Sequence, residues 1–410
     1  MPRRSNNVGV SDIMEDIKCD IVVVGGGPAG SMTAKWAAMH GSDVLVIEKR
    51  QEIGSPVRCG EGISKHWISD VGIRIDNKWI ANEVEGARIF SPSLKHIVVN
   101  EKMAGNEVGY MIERDQFDKA LAVDAAKAGA RYMVKTSAVG LLKDGNNKLI
   151  GVKAKHMGEH FNIFAKLIIG ADGFESQVGR WAGINTILRV NDVESCLQYR
   201  MAGIECDTRY SDFYLGSAAP GGYVWVFPKG DGVANVGIGI QLKYLKHKSE
   251  TKTYLDNFIK KMPGLKKGKI IDMVAGAVSV SQPLKEVTKD NIMLVGDSGR
   301  MIDPLTGGGI ASACIAGKIA GNVAAEALES RDFSKQFFQK YEKGWRAELE
   351  EKFYRNWMAK ERLSVIDDIT FDKLADILQD VKLEKLTAHN LLKVVKERYP
   401  EVVKGFEGFI

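Results

Sequence analysis

The chain has no uncharged apolar run of the ~18 residues that a membrane span needs, so any contact with a bilayer is peripheral. Its nearest approach, Ile310 to Leu328, is rich in small residues but carries Lys318 and Glu326. That stretch reads as a buried helix in which Gly317 and Gly321 allow close packing on a neighbour. Cysteine pairing is absent too. The cysteines at 19, 59, 196, 206 and 314 form no CxxC pair and no metal-ligand spacing, and their number is odd, which points to reduced thiols, a cytoplasmic protein and no structural metal. No apolar leader follows Arg3 and Arg4, and residues 1–17 read as a flexible arm. There is little charge imbalance: 57 basic against 52 acidic residues leave +5, too mild for a nucleic-acid partner but compatible with an anionic membrane surface. What remains is an ordinary globular composition, 45% hydrophobic and 27% charged, over 410 residues, enough for two or three domains.

The stretch from Cys19 to Glu48 organises the rest. Ile21-Val22-Val23-Val24 runs into Gly25-Gly26-Gly27-Pro28-Ala29-Gly30, then a helical segment, then a second apolar run ending at Glu48. This predicts strand, glycine turn, helix, strand. Gly25-x-Gly27-x-x-Gly30 lets the backbone turn tightly, approach a pyrophosphate and pack the helix on the sheet, while the helix N-terminus offers free N–H groups to phosphate. Glu48 stands where a carboxylate accepts hydrogen bonds from an adenosine ribose, and its charge opposes a 2′-phosphate there.

A glycine-rich loop follows, Gly54-Ser55-Pro56-Val57-Arg58-Cys59-Gly60-Glu61-Gly62, of a kind that either wraps a ligand or merely connects. Cys59 beside Arg58 is either a thiol drawn toward thiolate by a cation or a small packing residue. Residues 84 to 112 read as short strands. A helix opens near Arg114, with Asp115 as its cap and Phe117, Leu121 and Ala125 on its apolar side. Arg114 either reaches a pyrophosphate or lies on the surface. Tyr132 to Val139 reads as one strand, and Leu149 to Ile169 as a hairpin ending in Gly170-Ala171-Asp172-Gly173.

Strand-like alternation takes over from Asn185 to about Lys285. In Tyr223-Val224-Trp225-Val226-Phe227-Pro228 the three aromatics share one face, and Gly237 and Gly239 share a face of the next strand. Depending on hairpin register, these form an aromatic wall beside open space or a simple core. A further strand, Asn291 to Val295, leads to Gly296-Asp297-Ser298, then to Thr306-Gly307-Gly308-Gly309-Ile310 and a long helix, a second place where backbone amides meet an anion or a flavin carbonyl. From Phe333 onward the pattern is helical. Lys382 to Tyr399 is amphipathic, and reads either as a helix packed on its own domain or as one lying on a membrane.

Gly25-x-Gly27-x-x-Gly30 with Glu48, then Asp172-Gly173, then Gly296-Asp297, in that order, resembles the FAD-binding fold of the para-hydroxybenzoate hydroxylase superfamily. The resemblance implies that FAD is the cofactor, that Ala29, Arg50 and Arg114 contact it, that Ala138 meets the adenine, that Asp297 binds the ribityl chain, and that Cys59, Gly60, Gly62, Gly309 and Ile310 approach the flavin. Tyr223-x-Trp225-x-Phe227-Pro228 followed by Gly237-x-Gly239 resembles the signature of the geranylgeranyl reductases, and Pro56 to Gly62 the loop of their archaeal branch, which saturates digeranylgeranylglycerophospholipids. These similarities imply hydride transfer from reduced FAD to an isolated alkene with protonation of the other carbon, and an isoprenoid glycerophospholipid held by the aromatic strand with Pro228, Gly237 and Gly239. They also imply peripheral contact with the membrane and an external electron donor, ferredoxin or reduced nicotinamide. Where hydroxylases of this fold place arginine directly after the valine of the middle motif, this chain inserts Gly179 between Val178 and Arg180. The rival readings are a flavin-dependent monooxygenase or halogenase, a reductase acting on chlorophyll or geranylgeranyl diphosphate, and a prenyl-binding escort without flavin.

The expected architecture is therefore α/β, α+β overall. Residues 18–83, 110–184 and 286–330 form a Rossmann-type FAD-binding domain, residues 84–109 and 185–285 an inserted antiparallel β-sheet substrate domain, and residues 331–410 a helical region.

Overall fold

The structure, a computed structural model, describes residues 15–100, 109–247 and 249–379. An eight-stranded sheet is built around Ile17–Val24, which is paired in parallel with Val44–Ile47 on one side and Glu159–Gly170 on the other. Helices cover one face and an antiparallel layer the other, so the central strand can be β-branched on both faces, and Ile21, Val22 and Val23 are fully buried. The helix Pro28–Met39 follows the glycine turn, as its sequence predicts, and packs along Ile310–Ser330. A Cβ at Gly317 would lie 2.8 Å from the Ala29 carbonyl oxygen, and one at Gly321 2.6 Å from that of Thr33, so these glycines set the helix spacing. The helix Gln339–Leu363 then buries Tyr341, Trp345, Leu349 and Phe353 as a single stripe against the same core.

Three local readings change. The strand expected over Tyr132–Val139 is two, Arg131–Met133 and Thr136–Lys143, because Lys135 takes a left-handed conformation (φ +52°) and redirects the chain from the parallel sheet into an antiparallel pairing with Leu149–His156. The helix Arg114–Lys127 is preceded by Glu113 with no side-chain cap, and Asp115 sits instead within its first turn, where its charge suits the helix dipole. Ordered chain also starts before residue 18: Asp16 accepts a hydrogen bond from the Asn162 amide, and Ile17 pairs with Ile163.

The second sheet has seven strands, in the order Lys269–Ser279, Val193–Ala202, Val233–Gln241, Tyr223–Gly230, Tyr210–Tyr214, Gly86–Phe90, His96–Asn100. It is not wholly antiparallel. Gly86–Phe90 runs parallel to Tyr210–Tyr214, since the two arrive from distant parts of the chain and no hairpin dictates their direction. The helix Glu250–Lys261, unforeseen among the strands, covers one face with Leu255 and Phe258. The other face turns toward the first domain. The segment Lys382–Tyr399 lies outside the described residues.

Candidate active site

A cavity of about 640 Å³ runs from the glycine turn to the inner face of the seven-stranded sheet. At its nucleotide end the three fingerprint glycines do different work. A Cβ at Gly25 would overlap the Ala171 carbonyl, one at Gly30 would overlap Gly25, and one at Gly27 would project into open space. Gly25 and Gly27 line the cavity; Gly30 lies behind it. No side chain caps Pro28–Met39, leaving its first N–H groups and the helix dipole directed at this space. Glu48 accepts hydrogen bonds from the amides of Gly26 and Arg50, both at 2.9 Å, which pins the second strand to the glycine turn. The Arg50 guanidinium donates to the carbonyls of Ser55 and Pro56, so it braces the next loop. Ala29, Ala138 and Gly173 complete this end.

Asp172 accepts a hydrogen bond from the Val178 amide through Oδ2, while its Oδ1 is buried without a partner. Asp297 sits on the 3-10 turn Gly296–Gly299, its carboxyl pushed up by burial and drawn back by Arg114 and Arg300. Gly309 precedes the uncapped N-terminus of Ile310–Ser330, and a Cβ there would lie 3.1 Å from an Asp297 oxygen. An orphaned carboxylate oxygen, an open cradle at Gly27, a second aspartate and two helix N-termini along one cavity fit FAD.

Arg114 is no surface residue. Its side chain faces Asp118 at 3.4 Å together with Cys59 and Asp297, and these groups raise its pKa despite burial. The same geometry revises Cys59. The cation beside it is Arg114 rather than Arg58, and burial outweighs that charge, so the thiol is raised and stays protonated. Cys59 Sγ accepts a hydrogen bond from the Glu61 amide at 3.2 Å, and its carbonyl accepts one from Gln198 Nε2 at 3.0 Å. Gly60 lies against Phe227, and Gly62 begins the short strand at the cavity edge.

The hairpin register settles the aromatic strand. Tyr223 pairs with Gly239, Trp225 with Gly237 and Phe227 with Asn235. Ring centroids step along the wall at 5.8 Å from Tyr223 to Trp225 and 6.3 Å from Trp225 to Phe227. All three rings line the cavity, but the glycines leave no open space beside them: the indole occupies the space over Gly237, and the Glu194 carboxyl lies over Gly239. Gly237 and Gly239 therefore stand behind the wall. Pro228 points to the opposite face, as strand alternation requires, and its carbonyl accepts from Asn82.

Two acids escaped the sequence reading. Glu61, 1% exposed, accepts from the Arg114 amide (2.8 Å), Arg200 (2.8 Å), Lys229 (3.1 Å) and Asn235 (2.6 Å), tying the Cys59 loop to the seven-stranded sheet. Its place between two glycines was the available signal. Glu194 lies on the cavity wall with Cys196 and Gln198, alternate residues of one strand face, and burial raises its pKa to about 7 against the pull of Lys360. Its carboxylate accepts no hydrogen bond from the described residues, and its backbone carbonyl accepts one from Cys196 Sγ.

Residues 192–278 match the geranylgeranyl reductase catalytic domain and residues 20–220 the FAD dependent oxidoreductase model. Over 393 residues the chain is 53% identical to the digeranylgeranylglycerophospholipid reductase of Thermoplasma acidophilum, covering 95% of this chain and 99% of that one. The chain belongs to the digeranylgeranylglycerophospholipid reductase family. A crystal structure of a geranylgeranyl bacteriochlorophyll reductase-like protein from the same organism superposes with a TM-score of 0.91 at 52% identity, over 96% of this chain and 100% of that one. The flavin-dependent brominase Bmp2 shares the fold alone, with a TM-score of 0.67 at 19% identity over 93% of this chain and 99% of that one. Like its family, the protein is an FAD-dependent reductase. Residues 192–278, which match the geranylgeranyl reductase catalytic domain, contribute the aromatic strand, its glycine partners and Glu194 to the seven-stranded sheet.

Proposed function

We propose that this reductase saturates the isolated double bonds of geranylgeranyl chains in digeranylgeranylglycerophospholipids. The observation that carries the reading is the aromatic wall of Tyr223, Trp225 and Phe227 in the same cavity as the FAD cradle, in a chain half identical to relatives named for that substrate. The cradle lined by Gly25, Gly27, Asp172 and Asp297 would hold FAD, which would supply hydride chemistry once reduced by an external donor, a ferredoxin or a reduced nicotinamide.

An isolated alkene has no carbonyl to polarise, so the protein's share is to hold the double bond, exclude water and provide a proton. The three rings present apolar faces to the chain, and their quadrupoles tolerate positive charge that develops on carbon. Gln198 fixes two of the parts at once, accepting from Trp225 Nε1 at 2.8 Å and donating to the Cys59 carbonyl. Groups able to give up a proton face this space, Cys59, Cys196 and Glu194 among them. Cys59 and Cys196 are weak acids made weaker by burial, whereas the Glu194 carboxyl, near 7, is protonated in about half of the molecules at neutral pH and gives its proton up more readily. Glu194 is therefore the group we assign to protonation, with Cys59 packed beside the flavin.

No helix among the described residues is long and apolar enough to cross a membrane, and a phospholipid substrate brings the protein to the bilayer surface as a peripheral partner. The deciding experiment is anaerobic turnover. Dithionite-reduced protein incubated with the phospholipid should add two mass units per double bond, read by mass spectrometry. A requirement for oxygen would instead establish a monooxygenase, and a purified protein without flavin absorption would establish a binding protein.

A further inference from the structure

The strand Lys269–Ser279 is the outer edge of the seven-stranded sheet, and its two halves meet different surroundings. Val274 to Val278 lines the cavity. The first half points outward, with Ile270, Ile271 and Met273 at 54%, 63% and 55% exposure. The helix end and turn leading into it carry Lys261, Lys266 and Lys267, and the strand opens on Lys269; all are exposed, and none closes an ion pair with a described residue. From Lys261 to Met273 the single acidic residue is Asp272. At the cavity rim Arg58, also exposed, lies over Gly276 of the same strand.

Lysines on an edge strand ordinarily serve to block pairing with another sheet. Three large apolar side chains set among them defeat that purpose. Exposed aliphatic groups ringed by lysines suit the boundary between lipid headgroups and acyl chains, where the stems bury and the ammonium groups meet phosphate. Each lysine near an anionic leaflet adds to the attraction. The same strand continues into the cavity, giving a path for a prenyl chain from the bilayer to the aromatic wall.

We propose that the segment Lys261–Met273 is a docking edge that rests on an anionic lipid surface and hands the phospholipid to the cavity along Lys269–Ser279. This rests on the phospholipid-reductase reading above. The test is sedimentation of the flavin-loaded protein with vesicles of phosphatidylglycerol or of phosphatidylcholine, with rates measured in parallel on substrate in vesicles and in detergent. The native protein should bind phosphatidylglycerol vesicles, and less so at high salt. Ile271→Ser with Met273→Ser should weaken that binding roughly tenfold or more, and Lys266→Glu, Lys267→Glu and Lys269→Glu together should abolish the preference for the anionic vesicles. Both variants alter exposed side chains and should keep their flavin and their rate in detergent. Binding unchanged by either variant would overturn the proposal. So would a lysine variant that binds vesicles normally but is slowed only with an acidic donor protein, which would make this the donor's surface. Failure of the native protein to reduce the detergent-solubilised lipid is a distinct result, since it refutes the substrate reading while vesicle binding is read without turnover.

Discussion

The indole of Trp225 lies over Gly237 of the neighbouring strand, in the space that any side chain at position 237 would fill. The glycine of the hairpin therefore seats the ring of the wall, and Trp225 Nε1 is held there by Gln198. Gly237→Ala should push the ring from its seat at a cost of ~1–3 kcal/mol in stability, with flavin content retained and lipid reduction impaired. Trp225→Ala should likewise spare bound flavin and lower the reduction rate. Flavin absorbance per protein and the rate on lipid check both, and full activity of the tryptophan variant would reduce the wall to core packing.

Asp297→Ala should weaken FAD retention. The loss of one hydrogen bond to a charged group corresponds to ~1.5–3 kcal/mol, or roughly ten-fold or more in Kd. Flavin absorbance after gel filtration measures it, and unchanged retention would refute the assignment of Asp297 to the ribityl chain.

Glu61 and Lys229, buried at 1% and 3% side-chain exposure, form the centre of an ion network with Arg200 and Glu113. Glu61→Ala leaves Lys229 with the Glu113 carboxylate and the Ile112 carbonyl and strips the amide of Arg114 of its acceptor. A loss of ~3–5 kcal/mol is expected, measured as a lowered urea midpoint. A loss below ~1 kcal/mol would show that the network contributes little beyond its own desolvation.

Glu194 sets a pH dependence. With its pKa raised from 4.5 to about 7, the unfolded chain releases this proton first, so the folded state binds more protons between those values and stability falls as pH rises through that window. The loss is on the order of 3 kcal/mol and is complete above about pH 7. Glu194→Gln should flatten that slope in denaturation experiments. As the acid we propose for the reaction, Glu194 should also give a rate that declines as pH rises through about 7, and the glutamine variant should lack that limb while binding flavin and lipid normally. An unaltered pH profile would move protonation elsewhere.

Much of the site was legible because its parts are local. Gly25 to Glu48 is one continuous stretch in which β-branched residues, glycines and proline each dictate their own conformation, and Asp172 and Asp297 close strands that run into glycine. Glu61 and Glu194 were not legible, since neither differs locally from a solvated acid. Their burial comes from Arg200, Lys229 and Asn235 in one case and from Gly239, Gly222 and Lys360 in the other, residues supplied by distant strands and by a helix of the C-terminal region.

By itself the sequence determined a nucleotide-binding α/β domain, a strand with three aromatics on one face, and the absence of a spanning helix. Each follows from the dihedral preferences and periodicity of neighbouring residues. Only the tertiary structure decided which glycines face the ligand and which seat another side chain, because that depends on strand register. It also decided that Cys59 stays protonated, since the balance between burial and the Arg114 charge is struck between residues brought together by the fold.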